Sequence, residues 1–123
     1  MEITLPWPPK DLSPNARVHW TKKSKAAKAY RNECAWTVKA SGSLPAFGFV
    51  GAIFLEIEFY QPDKRARDLD NMLASIKSGI DGIADALGVN DSRFVYQIRR
   101  AETIGGMVKV AISEFPLTLK ATA

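Results

Sequence analysis

Around Ile53, Leu55, Ile57 and Phe59 the apolar positions alternate with Glu56 and Glu58, the two-residue period of a half-exposed strand. The surrounding segment, Phe49 to Tyr60, is rich in β-branched and aromatic residues and is predicted as that strand. Further on the period changes: Leu73, Ile76, Ile80, Ile83 and Leu87 recur three and four apart, predicting one helix from about Asn71 to Leu87, ended by Gly88. Gly79 and Gly82 inside it each cost roughly 1 kcal/mol relative to alanine, which points to close backbone packing against a neighbour. A second helix is predicted from Thr21 to about Ala40, with Ala27, Tyr30, Cys34 and Val38 as its apolar stripe and Ser41-Gly42-Ser43 and Pro45 as its stop. Residues 2–6 read as a short strand halted by Pro6, Pro8 and Pro9, and Gln61 to Asp70 as a polar loop. Residues 93–103 and 107–114 read as two strands joined through Gly105-Gly106 as a hairpin.

The order β-α-β-α-β-β gives an α+β fold with two main helices and a sheet of about four strands. A helical crossover between strands makes at least one pair parallel, so the sheet is mixed. The 123 residues suit one domain, 1–123, with one core.

Composition narrows the chemistry. One cysteine forms no internal disulfide, and the start of the chain lacks an export pattern, so a cytoplasmic setting is expected. No apolar run approaches the roughly 20 residues that span a bilayer, and no membrane association is expected. His19 is the single histidine, which excludes sites needing two or more histidines within one chain. Cys34 lies on an apolar stripe and reads as a buried core thiol, and His19 as a residue that packs or bonds locally. Carboxylate, lysine and hydroxyl chemistry remain.

The chain carries a net charge of +4, yet six of its seven aspartates fall between Asp63 and Asp91. In Asp68-Leu69-Asp70-Asn71 an i, i+2 pair at the junction of an extended segment and a helix points two carboxylates to one side. Asp91, just beyond the helix, can return toward them. Two carboxylates about 4 Å apart repel by roughly 4 kcal/mol at an effective dielectric near 20, so three that converge require a cation or a proton. Oxygen-only ligands select a hard ion, Mg²⁺ or Mn²⁺, of the kind that activates water against phosphate esters. On a helical wheel positions 70, 74, 77 and 81 share a face, which places Lys77 beside Asp70. The structural alternatives stand beside these readings: Asp68 or Asp70 as a helix cap, Asp91 as a turn residue, Lys77 in a surface ion pair, Asp81 and Asp85 as solvated positions.

Arg17, Lys22, Lys23, Lys25, Lys28 and Arg31 form one basic cluster, and Lys64, Arg65 and Arg67 a second, immediately before the acidic pair. Cations flanking an acidic metal site offer a polyanion a track toward it. Trp7 and Trp20 are candidates for base stacking, although a tryptophan is more often a packing anchor.

In Ile3-Thr4-Leu5-Pro6-Trp7-Pro8-Pro9, Lys28-Ala29-Tyr30-Arg31, Arg67-Asp68-Leu69-Asp70-Asn71 and Asn90-Asp91 the chain resembles the RusA-type endodeoxyribonucleases that resolve Holliday junctions, over most of its length. The resemblance implies a Mg²⁺-dependent homodimer acting on branched, four-way DNA, with Asp68, Asp70 and Asp91 holding the metal. The lysine usual in that family lies where this chain has Ala74, and Lys77, one turn later, takes its role. Arg67, Asn71, Lys64, Arg65, Lys22, Lys23 and Arg17 are the expected DNA contacts. The competing readings are a noncatalytic basic DNA-binding module and a nuclease for other branched DNA.

Overall fold

The sheet is built outward from its most apolar strand. In the computed structural model, which describes residues 1–42, 44–48 and 50–115, β2 (Ile53–Tyr60) buries Ile53, Leu55, Ile57 and Phe59 completely. The alternate residues, Glu56 and Glu58 among them, are half-buried on the other face. Around β2 stand β1 (Glu2–Pro6), β3 (Phe94–Arg100) and β4 (Met107–Ser113), in the order β1-β4-β2-β3. β3 runs parallel to β2, Ile57 opposite Ile98; β4 runs antiparallel to both β2 and β1. The fold is therefore α+β with a mixed four-stranded sheet. Phe49 and Ser43, assigned above to a strand and to a helix stop, and the last eight residues of the expected domain lie outside the described residues.

Among the described residues three α-helices accompany the sheet: α1 (Trp20–Ala40), α2 (Leu69–Ser75) and α3 (Lys77–Leu87). Tyr30, Cys34 and Val38 of α1 and Ile80 and Ile83 of α3 join the buried strand residues in one core. His19 caps α1, its Nδ1 accepting the Thr21 amide at 3.2 Å. Gly79 and Gly82 mark the contact between α1 and α3. A Cβ on Gly79 would meet the Tyr30 ring and lie 2.9 Å from Cys34 Sγ, and one on Gly82 would run into the Arg31 carbonyl. That close approach lets the Arg31 guanidinium grip both oxygens of Asp85, at 2.6 and 2.8 Å. Asp85 is thus an inter-helix tie, and Arg31 does not belong to a free basic cluster. At the other end of the core the Tyr30 hydroxyl donates to the Pro6 carbonyl at 2.7 Å, tying α1 to the proline-rich opening.

Two expectations need correction. The predicted hairpin is absent, because β3 and β4 lie on opposite sides of β2. A two-residue turn joins only adjacent antiparallel strands. Here the connection instead passes over the end of β2, with Ala101, Gly105 and Gly106 amides bonded to the carbonyls of Phe59, Gln61 and Tyr60. The predicted helix from Asn71 to Leu87 starts earlier and breaks at Ile76, whose φ of −98° and ψ of 5° leave the helical basin. There the Ile76 amide turns to the Leu73 carbonyl, a tighter i−3 bond, while its fully buried side chain keeps the apolar stripe in register. No helix among the described residues is long and apolar enough to cross a membrane.

Candidate active site

The loop entering α2 is braced from within. Arg67 grips Asp63 through both carboxylate oxygens, at 2.7 and 3.2 Å, and lies with its guanidinium 5.7 Å from the centre of the Trp7 ring. Trp7 in turn meets Phe59 edge to face, ring centres 6.3 Å apart. Arg100 holds the Arg67 carbonyl at 2.6 Å. With the guanidinium and the Arg65 amide both donating to it, the Asp63 carboxyl is pulled down to about 2. Arg67, expected to contact phosphate, is therefore occupied in holding the loop, and Trp7 is a packing anchor.

The braced loop delivers Asp68 in extended conformation as the N-cap of α2, its Oδ1 accepting the Asp70 amide at 2.8 Å. Capping consumes one oxygen and leaves the other. Asp70, in the first turn, is exposed, and its carboxylate makes no hydrogen bond or salt bridge among the described residues. The helix end favours both negative charges without needing the second.

Asp68 lines a groove of about 740 Å³. Trp7–Pro9 and Ala16–Val18 line it together with Arg65–Asp68, Asn71 and Ser75. Arg17 and Arg65 are exposed there and form no salt bridge among the described residues. Lys64, Lys22 and Lys23 do not line the groove, and Lys22 stands 3.8 Å from Asp11, which does. Trp20 is 72% exposed at the first residue of α1, next to this basic turn.

A second cluster gathers around Lys77. Asp91 opens a single 3₁₀ turn whose cap is Asn90, its Oδ1 accepting the Ser92 amide at 2.9 Å; the Asp91 carboxylate is left for other partners. Its Oδ2 lies 4.0 Å from Lys77 Nζ. Lys77 Nζ also donates to the Tyr96 hydroxyl at 3.1 Å and sits 5.3 Å from that ring's centre. The Tyr96 bond, with lesser help from Asp91 and Asp81, raises the lysine's pKa. Asp81, one turn along α3, is half-buried; burial first, then the neighbouring Asp91 carboxylate, raises its carboxyl above the ordinary range. Asp81 is therefore no solvated helix position. Tyr96 was not singled out by sequence patterning, and Asp81 was placed on the Lys77 face but read as a solvated helix position. The i, i+4 spacing from Lys77 carried a signal for Asp81, whereas Tyr96 had none beyond its place in a strand.

The structure thus pairs Asp68 with Asp70, and Asp91 with Lys77 and Asp81. It does not draw Asp68, Asp70 and Asp91 into one cluster: among the described residues no three or more His, Cys, Asp or Glu side chains are placed to hold one metal ion. The donor chemistry of the first pair suits a hard divalent cation, since Mg²⁺ is commonly held by one or two carboxylates with water and substrate oxygens completing the shell.

No family model matches the chain. It is 33% identical to the crossover junction endodeoxyribonuclease RusA of Enterobacteria phage 82, over 91% of this chain and 92% of that protein. It is 31% identical, over the same shares, to the crossover junction endodeoxyribonuclease RusA of Escherichia coli strain K12. An uncharacterized protein of Xylella fastidiosa is 53% identical over 76% of the chain, and the aligned part spans 61% of that relative's length.

Proposed function

The chain belongs to the RusA family of crossover junction endodeoxyribonucleases, and on that premise we propose that it cuts four-way DNA junctions by metal-dependent phosphodiester hydrolysis as a homodimer. The observation that supports this reading most is Asp68 in the wall of a groove that Arg17, Arg65 and Asn71 also line, with the exposed, unpartnered Asp70 two residues along in the first turn of α2. Arg17 and Arg65 hold the sugar-phosphate backbone, Asn71 adds a hydrogen-bonding amide, and Lys64, Lys22 and Lys23 steer the polyanion from the rim. Arg67 contributes by fixing the loop that carries Asp68.

Asp68, Asp70 and Asp91 are the proposed ligands of Mg²⁺, with Mn²⁺ as the alternative ion. In the structure Asp91 stands with Lys77, apart from the other two, so a shared ion would require the two clusters to approach. The ion supplies Lewis acidity toward the phosphate and a lowered pKa for water. Lys77 offsets the charge that develops on the phosphate. Two copies are required because resolving a junction into ligatable duplexes takes two symmetric nicks, and a twofold dimer presents two equivalent sites.

A labelled four-way junction, offered alongside linear duplex and flap DNA with and without Mg²⁺, tests this. Paired nicks in the junction, lost on chelation, are expected. Retarded but intact junction in Mg²⁺ would make the chain a noncatalytic binding module, and preferential flap cleavage would make it a nuclease for other branched DNA.

A further inference from the structure

Lys77 lies in the first turn of α3, immediately after the break at Ile76, where the preceding helix offers it no continuous scaffold. Its ammonium nonetheless has fixed neighbours. Tyr96 reaches it from β3, the Oη accepting from Nζ at 3.1 Å with the ring 5.3 Å away, and Asp91 Oδ2 faces it at 4.0 Å. Tyr96 is half-buried, and β3 is held in register along the central strand, with Tyr96 opposite Leu55. A flexible four-carbon chain is thereby anchored to the sheet. Of the three donors on the ammonium one goes to Tyr96, Asp91 is a charge neighbour beyond hydrogen-bond range, and the other two donors have no hydrogen-bond acceptor among the described residues.

We propose that Tyr96 is a positioning residue of the cleavage site, holding the Lys77 ammonium so that its free donors meet the scissile phosphate. This rests on the nuclease reading above. Tyr96 does not touch the reacting atoms; it acts through Lys77, and its hydroxyl, not its ring, is the part that matters.

Tyr96→Phe removes the acceptor and keeps the ring. The test is a double-mutant cycle of Tyr96→Phe and Lys77→Ala on a labelled four-way junction, read as single-turnover nicking in Mg²⁺, junction affinity in chelator and thermal midpoint. Loss of one positioning hydrogen bond is expected to slow nicking about tenfold. Affinity and midpoint should stay unchanged, and in the Lys77→Ala background the same substitution should change the rate by less than about twofold. Wild-type nicking by Tyr96→Phe, an equal loss in both backgrounds, or a loss accounted for by weaker junction binding would each overturn the assignment while leaving the nuclease reading intact. Absence of nicking by the unaltered protein on every DNA would overturn both.

Discussion

Cys34 shows how burial settles the chemistry of a single side chain. Its thiol is fully enclosed between α1 and α3, and burial raises its pKa to about 12 from 9.0. The neighbouring Tyr30 hydroxyl is shifted the same way and for the same reason. Only the thiolate reacts with disulfide reagents, so Cys34 should be inert toward them at pH 8 in the folded protein and react on denaturation; rapid labelling of the native protein would contradict its placement. The linked effect on stability follows in sign. Folding favours the protonated thiol, so this contribution is complete below about 9 and is lost as pH rises toward about 12. The residue scale also shows where sequence and structure part company. Asp68 was legible as both a cap and a ligand, and the structure gives it a cap with an oxygen to spare. Arg67 was legible only as a cation, because nothing in its neighbours' spacing announces that Asp63 and Trp7 will claim it.

Elements with a strong local period were readable. The alternation of β2 and the stripes of α1 and α3 all reappear as buried faces. The glycines at 79 and 82 were read as a close contact, and the structure supplies the partner, α1. Gly82→Ala is accordingly expected to destabilise the fold by about 2 kcal/mol, overpacking outweighing the roughly 1 kcal/mol that alanine gains in a helix. Thermal unfolding checks it, and an unchanged or raised midpoint would mean the helices lie farther apart than described. The break at Ile76 escaped notice because an apolar stripe runs through it without a change of period. The hairpin was misread for a related reason: Gly105-Gly106 is a good turn, but strand order depends on which strand the whole sheet buries deepest, and that is β2. The helix break had a consequence for the site. Lys77, placed beside Asp70 by the arithmetic of one continuous helix, faces Asp91 and Tyr96 instead.

For the whole molecule, the braced loop, the groove and the Lys77 cluster form two halves of one proposed machine. One half holds Asp68 in the wall of the groove with Asp70 in the adjoining helix turn, and the other holds Asp91 beside Lys77. Sedimentation should give twice the chain mass, and a monomer at working concentration would remove the second nick's site. The central claim is that carboxylates at the start of α2 carry the cut and are dispensable for grip. Asp70→Asn tests it most directly, since this carboxylate has no structural partner among the described residues and its loss should leave the fold alone. Junction affinity and single-turnover nicking measured on the same preparation should show binding retained and cleavage reduced to background; cleavage at near wild-type rate would contradict the account.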